Sequence, residues 1–150
     1  MRTILGAACA FVMIATPTLS AADAPGWHYA YENGVAQATA RDERGKTIAT
    51  MSCRPPTGDI ILQDYTLGRY GRNARTATVA IGTMSVNIPA TVERVGRDRV
   101  LSIRLPQRPP ILAGVQEQDR VTVSVNGHSA TYSAGSGVQM KDVAFACWGG

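Results

Sequence analysis

Three cysteines constrain this chain more than any other feature, because the first lies in a segment that reads as removable. Met1-Arg2-Thr3 is positively charged, and Ile4 to Ala15 is apolar or small throughout. Pro17 to Ala24 breaks that run and ends in Ala22-Asp23-Ala24. A charged start, an apolar run and an A-x-A site in that order are those of a secretory signal peptide. The run falls short of the roughly 20 apolar residues that span a bilayer. Cleavage after Ala22 or Ala24 is expected, leaving residues 25–150 as one β-rich domain with no membrane span. Cys9 departs with the signal. It is not read as a lipid anchor, because Gly6 stands three positions before it and only eight residues precede it. Cys53 and Cys147 are then alone in an oxidising compartment, where two cysteines have a single pairing, and a disulfide between them is expected.

The rest of the chain alternates in the manner of short strands. Trp27, Tyr29 and Tyr31 share one face of a first strand, and Asn33-Gly34 is a two-residue hairpin signal. Val35 to Ala40 follows, then a charged turn from Arg41 to Lys46. Thr47 to Cys53 sets Thr47, Ala49, Met51 and Cys53 on one face, and these three strands form a meander. Arg54 to Gly58 contains Pro55 and Pro56, which lack the N–H that a ladder needs. Asp59 to Tyr65 is apolar at its centre and reads as an interior strand. Thr76 to Ile81 and Thr83 to Ile88 are expected as a pair ended by Pro89, with Thr91 to Val95 and Arg99 to Leu105 as further strands. Ile111 to Asp119 reads as a short helix or helical turn. Val121, Val123 and Val125 mark the clearest strand, and Asn126-Gly127 turns it back.

Val138 to Cys147 fits two periods. As a strand it aligns Val143, Phe145 and Cys147; as a helix it aligns Met140, Val143, Ala144 and Cys147, with Ser136 as a cap. The helix is the favoured reading. The expected fold is mostly β, a small antiparallel sandwich or barrel with one or two short helices and one disulfide.

Chemistry is sparse. His28 and His128 are the only histidines, and with both cysteines committed no metal site is expected, since a structural zinc needs about four convergent ligands. No nucleophile elbow is present. Asp42 and Glu43 lie beside Arg41 and Arg44 in a turn, where a solvated hairpin tip explains them. No cofactor and no enzymatic activity are expected. The chain is modestly basic, with 15 Lys and Arg against 11 Asp and Glu, and all the cations but Lys46 and Lys141 are arginine. Arginine suits bidentate contact with carboxylates and phosphates. Leu67 to Arg75 is rich in glycine and arginine without the spacing of a P-loop. Arg69, Arg72 and Arg75, with Tyr65 and Tyr70 nearby, are the candidate binding residues for an anion or a sugar. A second basic group, Arg94, Arg97, Arg99, Arg104 and Arg108, is explained as solvated turns. No nucleic-acid motif is present.

The final third contains Val100 to Leu105, Ile111 to Val115, Val121 to Gly127 and Tyr132 to Gly137, and closes on Cys147. In this order of strand, short helix, hairpin and cysteine-bearing helix, it resembles small exported β-sandwich proteins of Gram-negative bacteria: the type VI secretion accessory proteins and the invasion-locus-B-like proteins. The second cysteine pair of the latter is missing. The resemblance implies a periplasmic or secreted accessory role and transfers no site residues. The expected function is binding of a cell-envelope component, either an envelope protein or an anionic polysaccharide. The alternatives are an inhibitor or immunity-type protein against a periplasmic hydrolase, and an enzyme of unrecognised type.

Overall fold

The computed structural model describes residues 25–54, 58, 60–106 and 108–148; the proposed signal segment, 1–24, lies outside them. Nine strands form one curled antiparallel sheet: β1 (Gly26–Glu32), β2 (Val35–Arg41), β3 (Thr47–Cys53), β4 (Ile60–Asp64), β5 (Thr76–Ile81), β6 (Met84–Val95), β7 (Asp98–Leu105), β8 (Val121–Val125) and β9 (His128–Thr131). Their spatial order is β1-β2-β3-β4-β7-β6-β5-β8-β9. One helix, α1 (Ser136–Trp148), follows. The fold class expected from the sequence is the one observed.

Local chemistry accounts for the hairpins. Asn33 and Gly34 have φ of 52° and 73°, and Asn126 and Gly127 have 48° and 81°. Positive φ at both central residues is the type I′ turn, whose twist matches that of the strands it joins. Between the turns, alternation places Ala36, Ala38 and Ala40, then Ala49, Met51 and Cys53, then Ile60 and Leu62, on one buried face. The alanines of β2 and β3 leave room above them for α1, which lies over β1, β2 and β3. Met140, Val143, Ala144 and Cys147 are the buried stripe of that helix, while Phe145 is 50% exposed. The exposed Phe145 excludes the strand reading, which needs it on the face of Val143. Cys53 and Cys147 are disulfide-bonded with their Cα atoms 6.0 Å apart, tying the end of β3 to the last turn of α1.

Three local expectations are corrected. Pro89 does not end a strand: β6 runs through it for 12 residues. Its first half pairs with β5, from Ile81↔Met84 to Thr76↔Pro89. Its second half pairs with β7, from Ala90↔Ile103 to Val95↔Asp98. A strand that changes partners at one residue gives up a ladder bond there in any case, so a missing N–H is tolerated. The short helix or helical turn expected over Ile111 to Asp119 is the latter and covers less of the chain, a single 3-10 turn, Pro110–Leu112, which buries Ile111 and Leu112. Ser136 does not cap α1. Its hydroxyl instead accepts the backbone N–H of Val121 at the start of β8, at 2.9 Å.

The two ends of the sheet approach each other. Trp27 of β1 meets Tyr132, just past β9, edge to face with centroids 5.3 Å apart. On the opposite side, β6 carries the sheet around. The result is a sandwich closed by an aromatic contact at one seam and by a shared strand at the other.

Candidate functional site

The loop from Tyr65 to Arg75 joins β4 to β5 and is held from below by one carboxylate. Asp64, fully buried, accepts on Oδ1 from Thr66 N, Thr66 Oγ1 and Leu67 N, each at 2.7 Å. Its other oxygen accepts from the Tyr132 hydroxyl. Turn bonds from Tyr70 N and Gly71 N to the Leu67 carbonyl coil the next residues tightly. Gly68 is required by close approach: a Cβ there would overlap the Arg99 carbonyl, so the loop lies directly on the β6–β7 hairpin beside its turn. From the far side, Asn126 Nδ2 donates to the carbonyls of Tyr70 at 2.9 Å and Arg72 at 3.4 Å.

This frame projects the arginines outward. Arg69, Arg72 and Arg75 are all exposed. The Arg69 guanidinium lies 4.5 Å over the Tyr70 ring. Tyr70 in turn stacks on His128 with centroids 3.8 Å apart and planes 15° from parallel. Arg72 shares a hollow of about 380 Å³ with Arg99, Thr91 and Asn73. Arg75 shares a second, of about 440 Å³, with Arg104, Thr91, Glu93 and Ser102. The two hollows meet at Ala74 and Thr91. Arg94 and Arg99 are directly opposite in the β6–β7 register. Like charges at such positions repel and destabilise the pair. Among the described residues, Arg72, Arg75, Arg94, Arg97 and Arg99 make no ion pair.

The structure thus brings Arg72 together with Arg99 and Arg75 with Arg104, both of the group explained from sequence as solvated turns, while Arg69 lies over Tyr70 and lines neither hollow. Tyr70 is part of the assembly, but as a support already covered by its neighbours. Tyr65 is not beside the arginines. It is half-buried, its N–H donates to the Ile48 carbonyl, and among the described residues its ring contacts none of them. Sequence reasoning missed His128 and Asn126, which hold the loop. The Asn-Gly turn signalled a hairpin tip, but no sequence signal tied that tip to a loop over 50 residues earlier.

Beneath the site, Tyr132 is buried with its hydroxyl on Asp64. Burial first, then the Asp64 charge, then the hydrogen bond hold its pKa well above the ordinary value near 10. All three penalise the phenolate. The pair is a structural rivet between β4 and the chain after β9, with both carboxylate oxygens occupied. Among the described residues, no three His, Cys, Asp or Glu side chains converge as a metal site.

The chain matches no protein-family model, no curated protein and no solved structure.

Proposed function

We propose that the protein is an exported, non-enzymatic binding protein whose arginine face holds an anionic polymer of the cell envelope. The observation that carries this is the group Arg72, Arg75, Arg94 and Arg99, which make no ion pair among the described residues. Arg94 and Arg99 face one another across a ladder at an energetic cost, Arg72 shares a hollow with Arg99, and Arg75 shares the adjoining one with Arg104. A polyanion lying along Thr91 relieves that repulsion, and forked guanidinium groups suit its carboxylates or phosphates. The frame under the arginines is rigid, so little ordering accompanies binding. Export is supported by the charge, apolar run and cleavage pattern of the first residues, and the disulfide is compatible with an oxidising compartment. The resemblance of the final third to secretion-accessory and invasion-locus-B-like proteins points to the same setting.

Affinity electrophoresis and calorimetry with a polyuronate, with lipopolysaccharide and with neutral dextran test the reading. Binding to the polyanions, weakened by salt as the Debye length contracts, is expected. Arg72→Ala/Arg75→Ala/Arg99→Ala should weaken it by about tenfold or more, a loss of roughly 0.5 kcal/mol per charge. Equal retention on dextran, or an unaffected triple variant, refutes it.

A further inference from the structure

Three arginines meet on one face of the β6–β7 hairpin, and their arrangement selects among anions. Ala90 N–H donates to the Arg75 carbonyl at 3.0 Å, away from β7. Ala90 and Ile103 are therefore a non-hydrogen-bonded pair, and by alternation so are Val92 with Leu101 and Arg94 with Arg99. Side chains at such positions share a face and approach most closely, their Cα atoms about 4.5 Å apart. The carboxylates of the hairpin are turned the other way. Glu93 and Asp98 alternate with Arg94 and Arg99, and Glu93 lines the hollow of Arg75 instead.

The loop supplies the third arginine. Gly71 packs on Val92 and Leu101, which share the face of Arg94 and Arg99: a Cβ on Gly71 would stand 2.8 and 2.9 Å from their side chains. Arg72 follows at once, inside the turn closed by Ala74 N–H on the Gly71 carbonyl, with Asn73 at φ 65°. It lines the same hollow as Arg99. Arg72, Arg94 and Arg99 are all exposed, and among the described residues none makes an ion pair.

Three guanidinium forks on one face exceed what a single-charged anion can fill. A carboxylate offers two oxygens and one charge, and a single fork satisfies it. A phosphodiester also has one charge. A phosphate monoester carries three terminal oxygens and about two charges at neutral pH. It can give each fork an oxygen, and its second charge offsets the repulsion between Arg94 and Arg99. We infer that Arg72, Arg94 and Arg99 clamp a phosphate monoester, borne on an envelope glycan or on a lipid headgroup. The inference rests on the polyanion reading and narrows it to one ligand group at the turn end of the hairpin, with Arg75 outside the clamp.

Calorimetry with a glucose phosphate monoester, its methyl diester and glucuronate compares three anions on one kind of sugar. The monoester should bind about tenfold tighter than either, the worth of one more charge-assisted hydrogen bond. That advantage should vanish at about pH 5, where the monoester has regained the proton it loses near pH 6. His128, stacked on Tyr70, acts on all three probes alike, so the ratio reads the ligand's own proton. Arg94→Gln should weaken the monoester about tenfold, and Arg94→Lys should fall well short of wild type because the charge stays while the fork goes. Arg75→Gln should leave the monoester unchanged. Arg94 is exposed and faces a like charge, so its loss does not threaten the fold. Vesicles with phosphatidic acid, set against phosphatidylglycerol, pose the same contrast on a lipid. Preference for phosphatidic acid assigns the group to a headgroup; indifference there, with the sugar monoester preferred, assigns it to a glycan. Either bears the clamp out. No preference for the monoester in either set, an advantage that persists at about pH 5, or an unaffected Arg94→Gln overturns it. If polyuronate still binds, the broader polyanion reading survives that failure; if polyuronate fails as well, both readings fall.

Discussion

The sheet under α1 and the sheet beyond Pro89 are built from the same alternating strands, yet the first is sealed and the second is open. Over β2 the inward residues are small, with Ala36, Ala38 and Ala40 buried, and the larger Met51, Ile60 and Leu62 beside them are fully buried as well, because a helix lies on them and a disulfide pins its end. Over the first half of β6 the inward Met84 and Val86 are large and apolar and remain 41% and 39% exposed. What separates the two regions is cover rather than size, since large inward residues occur in both. Small residues make room for a covering element. The arginine face lies between the two regions, on the strands where the sheet changes partners.

The largest expected effect separates the two halves directly. The Cys53–Cys147 link spans 94 residues, and by chain entropy its removal costs about 4–5 kcal/mol. Cys53→Ala/Cys147→Ala should lower the urea midpoint accordingly. Amide protection should fall first in α1 and in β1 to β3, with β5 and β8 following only at global unfolding. Uniform loss of protection would show that the sealed and open halves are one cooperative unit and would dissolve the contrast.

Asp64→Ala ranks next. It orphans Thr66 N, Leu67 N and the Tyr132 hydroxyl together, and buried groups losing a charged acceptor cost roughly 3 kcal/mol in sum. Because Asp64 is on β4 and Tyr132 follows β9, the variant should loosen both halves, and should also blur the arginine loop. Chemical denaturation with amide exchange at Leu67 measures it. A loss under about 1 kcal/mol, the worth of one ordinary hydrogen bond, would show that the rivet is dispensable.

Much of this frame was legible in the sequence. Val121, Val123 and Val125 announced a half-buried strand, Asn33-Gly34 and Asn126-Gly127 announced their turns, and the cysteine count announced the bridge. These are local signals, each read within a few residues. Pro89 misled because proline's lost donor is a strand-ending cost only when the strand keeps its partner, and partner choice is not a local property. The arginine site was half legible for the same reason. Exposure of Arg69, Arg72 and Arg75 follows from a polar, glycine-rich loop, but the meeting of Arg72 with Arg99 depends on how Gly68 lies against the β6–β7 hairpin. The exposure of Met84 and Val86 was not legible at all, since their alternation is that of any buried strand.

Tyr132→Phe removes one hydrogen bond and should cost about 1–2 kcal/mol at neutral pH. Its sharper signature is in alkali. The pKa of the folded phenol is held above its unfolded value, near 10, so the folded state keeps a proton that the unfolded state has begun to lose. Stability from this group is complete below pH 10 and declines as the pH rises beyond it. Stability measured from pH 8 to 11.5 should show a downward slope above about pH 10 in the wild type, shallower in Tyr132→Phe. Parallel curves would mean that Tyr132 titrates alike folded and unfolded, and that the seam it closes is wet.

The smallest effect concerns how the arginine loop is tied to the open half. Tyr70 stacks on His128 at the β8–β9 hairpin, and Asn126 of the same hairpin donates to the Tyr70 carbonyl. If the stack adds to the hydrogen bond, a double-mutant cycle of Tyr70→Leu and His128→Ala should give a coupling of about 0.5–1 kcal/mol, as for other ring pairs. His128 is exposed and Tyr70 only half-buried, so each single variant should fold, and the cycle should read the pair rather than a collapse. Arg69, which lies over the same ring, should become more mobile in Tyr70→Leu, with weaker polyanion binding. A coupling near zero would leave the loop held by Asp64, Gly68 and Asn126 alone. The arginine face would then be an extension of the sealed half, anchored through β4 and β7, and its rigidity would owe nothing to the region that is open.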